Sequence, residues 1–202
     1  MTAIVDYGVG NLFSLRSSLE FIGARVTVTD DHAVLHAASR IILPGVGAFG
    51  DAARRLRESG LDSRLKDEAA RGKPLLGICL GMQLLFERSF EYGQHAGLGL
   101  IPGSVRSIRP RIAPEMKLPH IGWNALSFPR TSPLFKSTAA GEHVYFVHSY
   151  AAMECDEHVI AVTEYEAELT AAVARGNVYG TQFHPEKSGD TGMKILRAFC
   201  GI

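Results

Sequence analysis

Cys79 lies in the pentapeptide Gly77-Ile78-Cys79-Leu80-Gly81. The apolar run Pro74–Ile78 before it has the length of a buried strand, and Leu80–Phe86 after it carries apolar residues at helical spacing. A nucleophile-type residue on a strand-to-helix turn, with glycine on both sides, is the G-x-S-x-G elbow with sulfur in place of oxygen. The turn is strained and crowded, so both flanks favour glycine. The N–H groups at the start of the following helix favour thiolate over thiol and offer a donor to an oxyanion. A cysteine among apolar neighbours is also an ordinary core residue. The chemistry therefore requires a base elsewhere in the chain.

His184-Pro185-Glu186 supplies one. The strand-like run Val178–Phe183 delivers His184 to a strand end, where parallel sheets place active sites. A cysteine nucleophile needs a group to take its proton and return it to the leaving group. A carboxylate two residues on, across a stiff proline, can hold the imidazole in the useful tautomer.

Two further patterns suggest other chemistry. Gly45-x-Gly47-x-x-Gly50 fits the dinucleotide fingerprint. That fingerprint also needs an acid about 20 residues on at the next strand's end, whereas Asp67 and Glu68 fall inside a helical pattern. The remaining reading is a glycine-rich loop at a strand end whose N–H groups can turn into a cleft. His32 and His36 have H-x-x-x-H spacing, but Ala33 stands where a zinc protease has glutamate, and no cysteine is near. They read as a solvated pair, and no metal site is expected.

The elements that position these residues follow a βαβ rhythm. Thr2–Asp6 is β-prone, and Asn11 can cap a helix carrying Leu12, Leu15, Leu19 and Ile22 on one face. Gly23 ends it. Arg25–Thr29, a short helix near His32–Ala38 and the strand Arg40–Leu43 come next. Asp51–Gly72 reads as a helix broken near Gly60. Glycines and prolines from 93 to about 120 mark loops and short strands. Val144–Tyr150 is a strand, Val159–Thr163 and Thr170–Arg175 suggest an antiparallel extension, and Gly189–Cys200 is a terminal helix. The expected fold is a three-layer α/β sandwich, with a mostly parallel sheet, helices on both faces and an antiparallel extension in the C-terminal half. It occupies residues 1–202 as a single domain.

Composition narrows the class. Lys plus Arg equals Asp plus Glu, 21 against 21, which gives no reason to expect nucleic acid or a membrane surface as partner. No apolar run approaches the length of a transmembrane helix, and the start of the chain has no signal-peptide pattern. Cys79, Cys155 and Cys200 are odd in number and far apart, so a reducing, cytoplasmic setting is expected.

GICLGMQLLF together with FHPEKS resembles the class I, triad-type glutamine amidotransferases. Six stretches carry a narrower likeness: DYGVGNL (6–12), LPGVGAFGDA (43–52), KPLLGICLGMQLLFE (73–87), PHIGWN (119–124), VYFVHSY (144–150) and YGTQFHPEKSG (179–189). Together they are similar to the glutaminase subunits of imidazole glycerol phosphate synthases, nearly end to end. The resemblance implies that Cys79 attacks the amide of glutamine, His184 moves the proton and Glu186 orients His184. The oxyanion donors would be the N–H groups of Leu80 and Val46, the latter in the Gly45–Gly47 loop. Gln83, Glu91, Ser149 and Tyr150 match positions that grip the amino-acid end of glutamine. Asn11, Trp123, Tyr145 and Lys187 match positions near a heterodimer interface with a (β/α)8-barrel cyclase that receives the ammonia. No cofactor is implied. Other glutaminases of the class, such as the subunit of pyridoxal phosphate synthase, share the triad and differ in the docking motifs. An inactive triad fold serving as a binding subunit is a third reading.

Overall fold

The structure, a computed structural model, describes residues 1–202. The first half alternates: β1 (Thr2–Val5), α1 (Leu12–Phe21), β2 (Val26–Thr29), α2 (His32–Ala37), β3 (Arg40–Leu43), α3 (Phe49–Glu58), α4 (Leu61–Ala70) and β4 (Leu75–Ile78). Helix α5 (Leu80–Leu84) follows. The second half is mostly strand: β5 (Phe86–Ser89), β6 (His95–Ala96), β7 (Ile101–Ser107), β8 (His120–Ala125), β9 (His143–His148), β10 (Tyr150–Met153), β11 (Val159–Tyr165), β12 (Ala167–Arg175) and β13 (Val178–Thr181). Helix α6 (Gly189–Cys200) closes the chain.

Seven strands form the main sheet in the order β11-β12-β13-β4-β3-β1-β2. The five from β13 to β2 are parallel, and β12 and β11 add antiparallel. Strands β1, β4 and β13 are buried along their whole length, as a sheet covered on both faces requires. Alternation sends their side chains to opposite layers. Ala3, Val5, Ile41, Leu43 and Leu75 pack with α2, α3, α4 and α5. Ile4, Ile42 and Leu76 pack with α1 and α6. These are the three layers expected. The break between α3 and α4 falls at Gly60, which adopts φ 72°.

Three features differ from the sequence expectation. The helix after Cys79 ends at Leu84, and Phe86 already begins β5. Its apolar residues are buried all round, so helical spacing did not mark where it stops. Residues 86–107 are more regular than their glycines suggested: β5, β6 and β7 join β10 in a second sheet, ordered β10-β7-β5-β6. The run Val144–Tyr150 is not one strand. It breaks at Ser149, so that β9 pairs with β8 and β10 pairs with β7. The break leaves His148, Ser149 and Tyr150 at a junction between sheets, beside the carboxyl ends of β4 and β13.

Candidate active site

Cys79 sits at φ 55°, a conformation rare outside glycine, directly after β4 and before α5. Its N–H donates to the Thr181 carbonyl of β13 at 2.7 Å, which fixes the turn to the neighbouring strand. Both flanking glycines are required by close approach. A Cβ on Gly77 would lie 2.5–2.7 Å from backbone atoms of Gly81 and Met82, and one on Gly81 would collide with the Leu43 carbonyl. Helix α5 has only five residues, so its dipole is small, and the Cys79 side chain makes no cap hydrogen bond to its first N–H groups.

His184 follows β13, and Glu186 lies in the 3-10 turn Pro185–Lys187. His184 Nδ1 is 2.8 Å from Glu186 Oε1, and both side chains are 3% exposed. This fixes the tautomer: Nδ1–H donates to the carboxylate and Nε2 is left toward the sulfur. Nε2 is buried and makes no hydrogen bond of good geometry. Burial lowers the basicity of His184, but the nearby Cys79 sulfur and the hydrogen-bonded Glu186 carboxylate outweigh it and hold the imidazole well above its ordinary range. A cysteine beside an imidazole that is backed by a carboxyl group is the arrangement that can make a thiol nucleophilic.

Strand β9 clamps this turn. His184 N–H donates to the Tyr145 carbonyl at 3.0 Å, Tyr145 N–H donates to Ser188 Oγ at 3.0 Å, and Ser188 Oγ donates to the His184 carbonyl at 2.6 Å. Ser188 is not among the residues singled out in the sequence; no local pattern distinguishes its role.

The loop after β3 has a fixed half and a free half. A Cβ on Gly45 would lie 2.6 Å from the Tyr7 hydroxyl and 3.0 Å from Gly81 N. Tyr7 in turn donates to the Pro44 carbonyl at 2.8 Å. Burial first, and then the nearby Cys79 charge, keep that phenol protonated. Gly47 adopts φ 95° with open space around it. The N–H groups of Val46 and Gly47 donate to no protein acceptor. As a dinucleotide loop it has no support: Asp67 and Glu68 lie in α4, and Glu68 is buried against Lys73 at 2.7 Å.

A cavity of about 380 Å³ joins these parts. Cys79 and His184 line it with Val46, Gly47 and Leu80, and so do Gln83, Glu91, Ser149, Tyr150 and Lys187. Gln83 is 5% exposed, and its Nε2 is already committed, donating to the Tyr150 carbonyl and to Gln182 Oε1, both at 3.0 Å. Its remaining amide oxygen is what it can offer a ligand. Glu91 also serves the fold, since its Oε2 accepts the Phe49 N–H at 2.6 Å and so caps α3, where Ala48 provides no side-chain cap.

The four remaining candidate positions divide. Trp123 and Tyr145 face each other across β8 and β9 with ring centroids 6.0 Å apart, and Lys187 Nζ lies 5.9 Å from the Tyr145 ring. Trp123 is 53% exposed, not core as its size suggests. Asn11 caps α1 by accepting the Ser14 N–H at 3.4 Å, and α1 packs against the Pro185–Lys187 turn. His32 and His36 are not simply solvated. His32 Nε2 lies 3.2 Å from the Ser59 carbonyl, and His36 Nδ1 lies 2.8 Å from Glu68.

A parallel sheet with a cysteine elbow and a histidine–glutamate pair at its carboxyl edge is the architecture of the triad amidotransferases. The sequence matches the family described as "Glutamine amidotransferase class-I" over residues 3–201, and the chain belongs to it. Within it, the chain is 48% identical over 198 residues to imidazole glycerol phosphate synthase subunit HisH of Moorella thermoacetica, covering 98% of this chain and 92% of that one. It is 49% identical over 202 residues to the HisH subunit of Bacillus cereus, covering 100% and 95%. Such identity along whole chains places it in the HisH family. Solved structures share the fold. A glutamine amidotransferase superposes with TM-score 0.76 at 19% identity, covering 99% of both chains. The structure of PurLQS from Thermotoga maritima superposes with TM-score 0.77 at 24% identity, covering 99% of this chain and 97% of that one. No helix is long and apolar enough to cross a membrane.

Proposed function

We propose that the chain hydrolyses glutamine to glutamate and ammonia through a Cys79 thioester and delivers the ammonia to the cyclase subunit of an imidazole glycerol phosphate synthase in the cytoplasm. The observation that carries it is Cys79 on its strained elbow beside the buried His184–Glu186 pair. The Cys79 thiolate attacks the side-chain carbonyl of glutamine. The oxyanion that forms is held by the Leu80 N–H, with the unpaired Val46 N–H as second donor; each donor in a dry site contributes about 3 kcal/mol. His184 passes its Nε2 proton to the departing nitrogen. It then takes a proton from water as that water attacks the thioester. Glu186 keeps Nδ1 as the donor side throughout. The free oxygen of Gln83 and the carboxylate of Glu91 suit the substrate ammonium, and Ser149 and Tyr150 complete the grip.

Ammonia released into water would be diluted and protonated, so a partner sealed over the cavity makes chemical sense. Apolar exposure supports docking there. Val46 and Pro119 line the cavity, and Leu118, Ile121 and Trp123 on either side of Pro119 are exposed.

The test is labelling with a glutamine-like diazo-ketone, alongside ammonia release by the chain with its cyclase. Burial pushes the Cys155 thiol up to about 11 and also raises Cys200. Cys79 is therefore expected to react well ahead of both, and Cys79→Ser to abolish turnover while the fold persists. Equal labelling of the three cysteines, or turnover by Cys79→Ser, removes the proposal.

A further inference from the structure

A continuous chain of polar contacts runs from the exposed edge of β8 to the Cys79 sulfur. It begins at the Glu164 carbonyl, which accepts from Asn124 Nδ2 at 3.0 Å. Asn124 Oδ1 lies 2.8 Å from His120 Nε2, and His120 Nδ1 lies 3.0 Å from His148 Nε2. His148 Nδ1 lies 2.9 Å from the Tyr150 carbonyl. Gln83 Nε2 donates to that same carbonyl and to Gln182 Oε1, and Gln182 Nε2 donates to Cys79 Sγ at 3.8 Å. His120 and Gln182 are 0% exposed, Gln83 is 5% and His148 is 6%. Four buried polar side chains on four segments form one thread.

The two ends determine the protons. The Tyr150 carbonyl only accepts, so His148 Nδ1 must carry hydrogen. The Asn124 amide is oriented by the Glu164 carbonyl, so its oxygen faces His120, and His120 Nε2 must also carry hydrogen. The inner nitrogens, 3.0 Å apart, then meet lone pair to lone pair unless one of them holds a further proton. The full thread therefore needs three protons on two imidazoles, giving an imidazole–imidazolium pair.

We propose that His120, His148, Gln83 and Gln182 are positioning residues that tie the Cys79 sulfur and the Tyr150 strand to the β8–β9 pair, and that the tie is complete only while the two imidazoles share three protons. The proposal rests on the glutaminase reading for its kinetic consequence and on geometry alone for its proton count. The surroundings oppose and support the third proton in different ways. Burial lowers both rings, His148 to about 3, where the charges of His120 and His184 add to it; the hydrogen bonds to the Tyr150 carbonyl and to Asn124 act the other way and are outweighed. In favour, the His120 ring lies between Phe146 at 4.9 Å and Tyr165 at 4.1 Å, two aromatic faces suited to a cation. The ionisable groups facing the pair are His184, from the turn after β13, and Tyr165, from β11. Strand β10 contributes only a carbonyl and β8 only an amide. The third proton is thus lost as pH rises, and the inner contact breaks with it.

The direct test is nitrogen NMR of the full chain labelled at histidine, from about pH 4 to 8, with the two rings assigned through His120→Asn. Protonated His148 Nδ1 and His120 Nε2 throughout, and one further proton leaving both rings in a single step, is the expected result. An unprotonated nitrogen at either end, or independent titration of the rings, overturns it. In turnover with the cyclase, His120→Asn and Gln182→Ala should each lower kcat about tenfold with KM within about threefold, and His120→Asn should remove the matching limb of the pH profile. The double variant should be no slower than the worse single; multiplied losses or an unchanged pH profile overturn the tie. Lack of turnover by the unmodified chain and its cyclase would instead count against the glutaminase reading, and the NMR proton count decides the tie without it.

Discussion

Gly77→Ala isolates what the elbow demands. The added Cβ would meet the Gly81 carbonyl oxygen at 2.5 Å and the Gly81 carbon and Met82 Cα at 2.7 Å, where ordinary contact begins at 3.4 Å. All three are backbone atoms, so no side chain can swing aside. The first turn of α5 must retreat from β4 by something under about 1 Å. Forcing such an overlap in a packed interior costs about 1–3 kcal/mol, and the upper half of that range fits a contact made only with backbone. The same shift moves Cys79 and the Leu80 N–H relative to His184. Misplacement of about 1 Å costs about 100-fold in rate. The variant should therefore lose about 2–3 kcal/mol in urea unfolding, and kcat/KM for glutamine, measured with the cyclase, should fall about 100-fold. Gly72→Ala is the control. Gly72 has φ 85° with nothing within 4 Å of its Cβ position, so the substitution carries only the left-handed backbone cost of about 1–2 kcal/mol and should leave turnover alone. Comparable turnover loss in both variants, or full activity in Gly77→Ala, would refute the argument that the glycine clears space for the nucleophile turn.

Glu68 sets an acid limit on stability. It is buried with Lys73 at 2.7 Å, His36 at 2.8 Å and Arg64 at 3.3 Å. Burial raises its carboxyl, but these partners outweigh it and hold it at about 2, against 4.5 when unpaired. A depressed carboxylate stabilises the fold above its unfolded value and loses that contribution as pH falls through its folded one. With His36 more than half exposed and screened, about 2–3 kcal/mol should disappear between pH 4.5 and 2, and unfolding curves of Glu68→Gln should lack that step. Trp123→Ala should weaken cyclase binding by about 2 kcal/mol, roughly 30-fold by calorimetry, and change hydrolysis by the isolated chain less than about twofold. Glu186→Gln should slow turnover less than His184→Ala, because it spares the group that carries the proton; the reverse order in steady-state rates would reassign the base. Asn11→Ala should cost about 0.5–1 kcal/mol in urea unfolding, the lower part of the capping range, because its bond to Ser14 is long at 3.4 Å.

What the sequence showed depends on how local each cause is. The apolar runs of β1, β3 and β4, the cap at Asn11 and the break at Gly60 arise within a few residues of chain, and they were legible. The strand-end placement of Cys79 and His184 was legible for the same reason. The pairing of residues 86–107 was not, although short strands among loops were expected there. Strand β5 has a parallel neighbour in β7 and β7 pairs with β10, a partner more than 40 residues away, so nothing in their own composition separates them from loop. The break at Ser149 was hidden similarly: VYFVHSY has continuous β propensity, and only competition between two sheets for its two halves divides it.

That division explains why the site's supporting residues escaped notice while its proposed reacting groups did not. A nucleophile, a base and a carboxylate are chemically distinctive types, and a strand end is a recognisable address. Tyr7, Ser188, Gln182 and His120 are ordinary types whose work is defined by partners across the fold. Gln182 is two residues from His184 in sequence, yet its contacts are with Gln83 and Cys79. Tyr7 lies beside a glycine turn, yet its hydroxyl fixes the Pro44 carbonyl 37 residues on. Ser188 bonds the His184 backbone and Gln182 the Cys79 sulfur, while Tyr7 and His120 reach the site only through Pro44 and His148. The proposed catalytic geometry therefore requires these contacts to be made together, and a substitution at Ser188 or Gln182 should disturb turnover more than its small change in buried area would suggest.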